Sequence, residues 1–541
     1  MGNDESVHDY VVVGLGSAGA VVAAGLAARG YRVLGLEAGG TDLQPQIALP
    51  AGMMKMPRKN YWPYQVEPDA TRNGKRDMWA SGKVLGGGSA VNAMLWVRGH
   101  RDDFDEWAEL GATGWDYESL LPLMRELETS NDHHGPTRGE WGPQQVSRVR
   151  LDHPVVRSFI QGATEVGFPY RDDYNADEQV GVAWSQLSQQ HGLRHTSARA
   201  FLGPAARKYR NLRVATHAVA RRILFDGNRA SGVEYLRRGR VHRAIATKEV
   251  IVCAGAIATP ALLLRSGVGS ADSVAALGVP VVADVPGVGR NLQEHTTVRL
   301  QYQVNIPTLN QEMTPAGVVR GGYQFLAHHS GPATAPLANA VLFGRLDGAS
   351  TGRADYQVMF APLSLAVRPD GNASKQNVQL ADNSVISALV ALLHPRARGS
   401  VTVHSTSPDE LPEIKLEYLS QEQDVADMIA AARQVREIFT ASPQMRALVT
   451  SEDFPGVEVR SDEQWQTFLR EKIQNCAHWV GTTRMGSPED PDVVVDPVLR
   501  VRGVDGLRIA DASVMPTITS GNTNAPAILI GANAVRLVTR A

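Results

Sequence analysis

The chain has 541 residues, with 54 Lys and Arg against 56 Asp and Glu and a formal net charge of −2. At roughly 100–200 residues per domain, this length predicts two or three domains, or one large domain with insertions. The balanced charge argues against a nucleic-acid binder, and 43% hydrophobic residues exclude a disordered chain. The two cysteines, Cys253 and Cys476, cannot form a disulfide framework or a four-ligand zinc site of their own. The composition is typical of a soluble α/β enzyme, most simply a cytoplasmic one.

The first apolar segment, residues 11–28, has 18 residues without a charge, which is the length of a membrane span. Acidic residues precede it where a targeting signal would carry positive charge, and three glycines in its first half disfavour a continuous helix. We therefore expect neither a membrane span nor a targeting signal here.

The same segment is better explained as strand, turn and helix. Residues 9–13 form a short apolar run typical of a strand buried in a parallel sheet. A glycine-rich turn follows at 14–19, and the alanine-rich residues 20–29 favour a helix that ends at a glycine. Residues 31–36 then predict a second strand. This order is the beginning of a dinucleotide-binding βαβ unit.

Each glycine of the turn has a physical reason. Gly14 permits the tight turn, Gly16 lets the backbone approach a diphosphate, and Gly19 allows the helix to pack closely on the strand. Ser17 and Ala18 lie between them, where the helix N-terminus attracts phosphate. Glu37 follows the second strand and is placed to accept hydrogen bonds from ribose hydroxyls, which disfavours the 2′-phosphate of NADP. The motif alone does not distinguish NAD from FAD.

Four further stretches show a resemblance to a known family. They are GKVLGGGSAVNAMLWVRG at residues 82–99, GAIATPALLLRSGVG at 255–269, PGVGRNLQEH at 286–295 and the C-terminal run 478–526. Together they resemble, in order, the motifs of the glucose–methanol–choline (GMC) oxidoreductases, and they span nearly the whole chain. The chain looks closest to bacterial choline-dehydrogenase-like and alcohol-dehydrogenase-like members. The resemblance implies FAD as the cofactor and oxidation of an alcohol as the reaction.

The resemblance also implies which residues contact FAD. Physically, the glycines at 86–88 offer bare backbone N–H groups, although a glycine-rich connecting loop is the alternative explanation. Asn92 adds an amide that suits flavin carbonyls, and Asp511 ends a short strand at the edge where open α/β sheets bind ligands. The remaining positions that match cofactor-contacting residues of the family are Val84, Gly87, Ser89, Ala93, Met94, Val219, Ala512 and Thr523.

The link between protein and flavin is expected to be non-covalent. Some family members carry a histidine in the first motif that is bonded to the flavin, whereas this chain has Val91 there. Valine has no nucleophilic atom, so a covalent bond at this position is excluded.

The predicted architecture is α/β, or α+β overall, with a Rossmann-like FAD-binding domain and a discontinuous substrate domain. The FAD-binding domain is expected to comprise residues 1–155, 205–295 and 455–541. The substrate-binding domain is expected to comprise residues 156–204 and 296–454, built on an antiparallel sheet with helices.

Three apolar runs predict strands of that antiparallel sheet, at residues 355–360, 384–393 and 399–403. The aromatic segment 61–64 is expected to lie over the flavin as a lid.

His478 is the candidate catalytic base. It lies in a glycine-bounded stretch that matches the active-site histidine of the family, and a neutral imidazole suits removal of a hydroxyl proton. The resemblance places Asn522, 44 residues further on, at the second catalytic position, where its amide can hydrogen-bond the developing alkoxide. Asn524 stays open as the alternative partner, because both amides could cap the following helix. His295 is expected to have a turn or structural hydrogen bond.

No metal site is expected among the 15 histidines. The two pairs His133–His134 and His328–His329 are adjacent in sequence, and adjacent histidines rarely reach one ion.

Three functions follow from the resemblance. The first is FAD-dependent oxidation of an alcohol, with a primary alcohol favoured, to the aldehyde. The second is a non-redox family activity, namely a hydroxynitrile lyase or a photodecarboxylase, and the third is flavin binding without catalysis. The pair His478 and Asn522 favours the first. We expect a small-molecule alcohol substrate and no nucleic-acid or membrane partner. Oxygen is favoured as electron acceptor over a quinone or another small acceptor, and the sequence does not identify the alcohol or the oligomeric state.

Overall fold

The computed structural model describes residues 5–312, 314–348, 352–367, 378–380 and 383–540. The structure contains two large sheets and many helices, both short and long. The α-helices are Ser17–Ala28, Pro45–Ala48, Gly88–Val91, Arg101–Glu109, Tyr117–Leu127, Pro154–Glu165, Gly203–Lys208, Gly255–Arg265, Ala271–Ala276, Leu309–Glu312, Pro315–His328, Glu422–Thr440, Pro443–Arg446, Asp462–Lys472 and Asn524–Arg540. A π-helical turn spans Ala198–Leu202, and 3₁₀ turns span Pro50–Lys55, Arg58–Asn60, Ala70–Arg72, Pro332–Thr334 and Ala512–Val514.

The first sheet has seven strands and is mainly parallel. Its strands, in spatial order, are Leu212–Ala215, Val33–Leu36, Glu5–Val13, Arg240–Val252, Arg229–Arg237 and Ala218–Asp226, with Leu507–Ile509 added beside the end of Arg240–Val252. The last two strands of the path are antiparallel to their neighbours. The parallel strands therefore bring several carboxyl ends to one edge.

The expected strand, turn and helix at the N-terminus are present. The strand Glu5–Val13 is buried over its apolar end, and helix Ser17–Ala28 packs on helix Asn524–Arg540. The second strand is shorter than expected, at Val33–Leu36, because the Tyr31 N–H donates back to the Leu26 carbonyl oxygen at the end of the helix.

The second sheet has seven strands and is antiparallel throughout its pairs. Its strands, in spatial order, are Val449–Phe454, Thr296–Val304, Val385–Leu392, Tyr356–Ala361, Ala340–Gly344 and Gly181–Trp184, with Gln474–Asn475 paired to Thr296–Val304. The mixed α/β fold class is thus confirmed.

Small sheets join the remaining strands. Their pairs are Tyr61–Gln65 with Met78–Gly82, Gln189–Gln190 with Leu193–Arg194, Val268–Gly269 with Ala283–Asp284, Leu365–Val367 with Val378–Leu380, and Ser400–Thr402 with Glu413–Lys415; Gln144–Arg148 pairs with both Glu128–Ser130 and Gln186–Leu187.

The two large sheets have separate hydrophobic cores. Helix Asp462–Lys472 follows the expected boundary at 455, and its Trp465, Phe468 and Leu469 pack in the core of the second sheet. An amphipathic pattern shows that a helix buries one face, but it does not show against which sheet. The division of the chain into two domains stays a prediction.

Among the described residues, no helix is both long enough and apolar enough to cross a bilayer.

Candidate active site

A cavity of about 540 Å³ opens along the carboxyl edge of the first sheet. The strands that end at Val13 and Leu36 lead directly into its wall, which is where open α/β sheets bind ligands. Thr297, Met359 and Leu389 of the second sheet line it from the other side. The cavity therefore lies between the two sheets, and its volume is that of a small-molecule site.

Most of the site residues expected from the sequence line this one cavity. They are Gly14, Gly16, Ser17, Ala18, Glu37, Gly87, Asn92, Ala93, Met94, Val219, Asp511, Ala512 and Thr523, together with His478 and Asn522.

Three expected residues, Gly19, Val84 and Ser89, do not line the cavity. Val84 is fully buried against Ile47. The Ser89 hydroxyl is used inside the protein, donating to the Gly86 carbonyl oxygen at 2.6 Å. Val84 and Ser89 therefore lie behind the cavity wall, and their contact with a cofactor stays a prediction.

The glycine turn has the close approaches that its spacing predicts. Gly14 has φ +89°, and a Cβ on Gly19 would lie 1.9 Å from the Gly14 carbonyl oxygen. A Cβ on Gly87 would lie 2.7 Å from the Gly16 Cα, so the two glycine loops touch. Backbone N–H groups at the N-terminus of helix Ser17–Ala28 therefore form a bare wall that suits a diphosphate.

Glu37 lies at the end of the cavity where a ribose is expected. Its carboxylate accepts the backbone N–H of Leu15 at 3.1 Å and of Gly39 at 2.8 Å. Burial raises the pKa of Glu37 to about 7. The two hydrogen bonds fix the carboxyl group in place, and Glu37 lines the cavity.

Asn92 is oriented by two hydrogen bonds. Its Oδ1 accepts from Arg194 Nη1 at 2.8 Å and from the Met94 backbone N–H at 3.0 Å. Because the oxygen is used in this way, the Nδ2 group is the donor that remains for a ligand.

Asp511 organises the next part of the wall. Its Oδ2 accepts from the Gly255 backbone N–H at 2.9 Å and from the Thr259 hydroxyl at 2.6 Å, and its Oδ1 accepts from the Ser513 backbone N–H at 2.8 Å. These bonds tie the strand Leu507–Ile509 to the start of helix Gly255–Arg265.

His478 and Asn522 meet in the cavity although 44 residues separate them. His478 Nε2 and Asn522 Nδ2 are 3.0 Å apart. Asn524 instead begins the C-terminal helix, where its Oδ1 accepts from the Ser17 hydroxyl at 2.6 Å. Of the two candidate amides, Asn522 is the one in contact with the imidazole.

The loop that carries His478 is held by a buried carboxyl group. Ala477 has φ +62°, and the His478 backbone N–H donates to both oxygens of Glu294, at 2.9 and 3.1 Å. Burial raises the pKa of Glu294 to about 8 and lowers the pKa of His478 to about 4. The imidazole is therefore neutral at pH 7 and able to accept a proton.

Two residues in contact with this pair have functional positions that the sequence did not indicate. His295 Nδ1 lies 2.9 Å from His478 Nδ1, so its structural hydrogen bond is made with the candidate base itself. Gln357 Nε2 donates to Asn522 Oδ1 at 3.1 Å. The sequence signal for Gln357 is a glutamine within an otherwise apolar run, and the structure buries it fully in strand Tyr356–Ala361.

The cavity contains unpaired donors that suit a ligand with acceptor atoms. Asn524 Nδ2 and Trp479 Nε1 are buried without a partner in the described part of the chain. Both residues line the cavity, and the flavin ring and its diphosphate have acceptor atoms that such donors can bind. The donor set and the glycine wall therefore fit FAD.

Aromatic rings form one side of the cavity. Tyr61, Trp62 and Tyr64 of strand Tyr61–Gln65 line it, and Trp79 stacks on Trp479 with ring centroids 4.9 Å apart. One of these rings, Trp479, directly follows His478 in the chain.

Within the described ranges, no group of three or more His, Cys, Asp or Glu side chains is arranged to hold a metal ion.

Two parts of the chain match models of one protein family. The N-terminal and C-terminal models, both described as GMC oxidoreductase, match residues 8–297 and 395–531. A protein named oxygen-dependent choline dehydrogenase from Brucella suis biovar 1 is 38% identical over 97% of this chain and 94% of its own length. The human protein named choline dehydrogenase, mitochondrial, is 36% identical over 98% of this chain and 89% of its own length.

Solved structures show the same fold over the whole chain. Pyridoxine 4-oxidase from Mesorbium loti matches with a TM-score of 0.87 and 29% identity, covering 98% of this chain and 99% of that chain. A formate oxidase variant from Aspergillus oryzae matches with a TM-score of 0.90 and 25% identity, covering 100% of this chain and 99% of that chain. That structure describes the effect of an arginine-to-lysine substitution on FAD modification in the formate oxidase.

Proposed function

The chain belongs to the GMC oxidoreductase family, and we propose that it oxidises a small primary alcohol to the aldehyde with His478 as base and Asn522 as partner. It is an FAD-dependent oxidoreductase that acts on CH–OH groups. The chemistry that bound FAD would supply is an acceptor for the hydride that leaves the carbinol carbon. The chain's own residues orient the alcohol, take its hydroxyl proton and exclude water.

The observation that carries the proposal is the contact of a neutral, buried imidazole with an amide donor inside the cavity. The alcohol donates its hydroxyl proton to His478 Nε2, and Asn522 Nδ2 donates a hydrogen bond to the same oxygen as negative charge develops. A positioned base of this kind contributes about 10²- to 10⁴-fold to a rate.

The cofactor-binding assignment is part of the same proposal. The turn at Gly14, Gly16 and Gly19 holds the diphosphate, and Glu37 binds the adenosine ribose. The stretch Gly87 to Met94 and the segment that begins at Asp511 are assigned to the flavin half, and both line the same cavity as His478. FAD is held without a covalent bond, since Val91 lines the cavity and has no nucleophilic atom.

The two thiols that line the cavity support a non-covalent cofactor. Burial raises the pKa of both Cys253 and Cys476 well above the usual range. A protonated thiol is a poor nucleophile towards the flavin.

The wall opposite the flavin favours an alcohol with an uncharged, apolar body. Met359 and Leu389 are opposite each other on neighbouring strands and line the cavity with Leu337. Met359 lies two residues from Gln357 and therefore on the same face of the sheet as the contact to Asn522. No ionised carboxylate is needed near such a substrate.

Choline is the second candidate substrate, because the relatives at 36–38% identity are named for it. Comparing kcat/KM for choline with that for its neutral isostere, in which carbon replaces the quaternary nitrogen, separates the two. The apolar wall predicts that the neutral alcohol is the better substrate. A preference for choline of about tenfold or more would favour the second candidate.

Oxygen is the proposed electron acceptor, in agreement with the name of the Brucella relative. Mixing alcohol-reduced enzyme with oxygen in a stopped-flow instrument tests this. Reoxidation faster than turnover, with one hydrogen peroxide per flavin, supports an oxidase. Reoxidation much slower than turnover with a quinone or dye identifies a dehydrogenase.

A further inference from the structure

A series of four hydrogen bonds runs through the catalytic pair, from the residue that follows strand Val385–Leu392 to the neighbouring strand Tyr356–Ala361. It begins at the Leu393 carbonyl oxygen, 3.0 Å from His295 Nε2. It continues from His295 Nδ1 to His478 Nδ1 at 2.9 Å, and from His478 Nε2 to Asn522 Nδ2 at 3.0 Å. It ends at Asn522 Oδ1, which is 3.1 Å from Gln357 Nε2.

The carbonyl group of Leu393 determines which atom donates and which accepts in each of the four hydrogen bonds. A backbone carbonyl has no proton, so His295 Nε2 must donate to it. A neutral imidazole has one N–H, so His295 Nδ1 is then a lone pair and must accept from the Nδ1–H of His478. The remaining nitrogen of His478, Nε2, is therefore the unprotonated one.

The hydrogen bonds of the Asn522 and Gln357 amides agree with this assignment of donors and acceptors. An unprotonated His478 Nε2 requires Asn522 to present its Nδ2–H, which leaves Asn522 Oδ1 as an acceptor. Gln357 Nε2 supplies that acceptor with a donor. The opposite tautomer of His478 would bring two lone pairs together at the contact with His295 and two N–H groups together at the contact with Asn522.

Both imidazoles are neutral near pH 7, as this chain of bonds requires. Burial lowers the pKa of His478 to about 4 and lowers that of His295 well below its ordinary value. The titratable groups that face His295 are His478 and His394, and Glu294 precedes it in the chain. Burial also lowers the pKa of His394, to about 3, so none of these imidazoles is charged.

We propose that His295 is a positioning residue that fixes His478 in the Nδ1–H tautomer, so that Nε2 is the base presented to the alcohol. This inference rests on the proposed function. The alcohol hydroxyl enters between His478 and Asn522, its O–H bond breaks and the proton is bound at Nε2. His478 Nδ1–H continues to donate to His295 in the imidazolium form, which stabilises the charge that has arrived.

Nitrogen NMR of the resting holoenzyme tests the tautomer without any turnover. The protein is labelled with ¹⁵N in its histidine rings, and the His478 signals are assigned by their loss in His478→Asn. We expect a protonated Nδ1 and an unprotonated Nε2 at pH 7. A protonated Nε2 in the wild-type protein overturns the inference, whether or not the enzyme oxidises alcohols.

A matched pair of substitutions tests the role of each ring nitrogen of His295. His295→Asn keeps an acceptor oxygen at the place of Nδ1, whereas His295→Gln keeps a donor at the place of Nε2 towards Leu393 and loses that acceptor. We expect His295→Gln to show a mixture of His478 tautomers and flavin reduction slower by about tenfold or more, with FAD content unchanged. His295→Asn should retain the Nδ1–H signal and a rate within a few-fold of wild type.

Equal rates and equal tautomers in the two variants overturn the inference, because a merely structural role of His295 would not distinguish them. If His295→Gln does not fold, the inference is tested by the His478 tautomer in the wild-type protein and in His295→Asn. Failure of every alcohol to reduce the wild-type flavin would instead refute the proposed function and leave the tautomer measurement intact.

Discussion

At the scale of single residues, the site depends on a histidine that burial keeps neutral. His478 lies at the cavity wall with only 9% of its surface exposed, and burial alone lowers its pKa to about 4. A base of this kind is unprotonated throughout the neutral range, so its availability is set by geometry rather than by pH.

His478→Ala is expected to keep FAD bound and to lose about 10²- to 10⁴-fold or more in the rate of flavin reduction, because the hydroxyl proton then has no acceptor. Rapid mixing with alcohol under anaerobic conditions measures the rate, and the ratio of flavin to protein absorbance reports FAD content. His404→Ala, at an exposed histidine, is the control. A near-native rate in His478→Ala would remove this residue from the role of base.

Asn522→Ala should slow flavin reduction by about 10²-fold, since it removes the donor to the developing alkoxide. Asn524→Ala is the matched control, because this amide contacts Ser17 rather than His478. It should affect FAD binding more than the rate. Greater damage to the rate from Asn524→Ala would show that the catalytic amide has been misassigned.

At the scale of elements, local patterns in the sequence predict the helices, strands and turns that neighbouring residues form. The strand, turn and helix from Glu5 to Ala28 follow from a run of apolar residues, the glycine spacing and an alanine-rich segment. The strands Tyr356–Ala361 and Val385–Leu392 follow from apolar runs bounded by turns. Such patterns extend only over neighbouring residues.

Contacts between distant segments could not be predicted in this way. His295 meets His478 across 183 residues, and Gln357 meets Asn522 across 165. Neither pair has a sequence spacing that physical chemistry relates to a contact. The resemblance to the family supplied His478 and Asn522, but the tautomer of the base required the positions of atoms.

The close approach of helix Ser17–Ala28 to its strand gives a prediction at this scale. A Cβ at Gly19 would lie 1.9 Å from the Gly14 carbonyl oxygen, so Gly19→Ala must displace the helix N-terminus. Overpacking of this kind costs about 1–3 kcal/mol, which corresponds to about a 5- to 150-fold loss of FAD affinity if it falls on the binding loop. Titration of the apoprotein with FAD measures this loss.

Gly322→Ala is the matched control for Gly19→Ala. Gly322 also lies within a helix, Pro315–His328, but a Cβ there meets nothing within 4 Å. Its FAD affinity should equal that of the wild type. Equal affinity in the Gly19→Ala protein would contradict the close-packing explanation.

At the scale of the whole molecule, the two sheets enclose one cavity, and the cofactor is held by folding rather than by a bond. We expect acid or heat denaturation to release fluorescent FAD into the supernatant after precipitation of the protein. The reasons are the valine at position 91 and the protonated state of the two cavity thiols. Colour that stays with the precipitate would contradict this prediction.

Buried histidines also make the stability of the whole molecule depend on pH. Burial, with a smaller contribution from the Arg199 cation, lowers the pKa of His195 to about 4. The unfolded chain binds a proton there below about pH 6.5, whereas the folded chain does not until about pH 4. The free energy of unfolding therefore falls as the pH falls through this window.

His195→Asn removes this titration and keeps an acceptor for the Gln145 backbone N–H, which His195 Nδ1 accepts at 3.3 Å. Between pH 7 and pH 5 the variant should lose less stability than the wild type, by at most about 2 kcal/mol. Urea unfolding at both pH values, with FAD in excess, measures the difference. An equal loss in both proteins would show that His195 does not contribute.

The most direct test of the central claim is anaerobic mixing of the purified yellow holoenzyme with a panel of primary alcohols, followed by flavin absorbance. We expect at least one small alcohol to bleach the flavin of the wild-type protein, the aldehyde to form in equal amount, and His478→Ala to stay yellow with the same alcohol. A flavin that remains oxidised with every aliphatic, aromatic, polyol and quaternary-ammonium alcohol would contradict it.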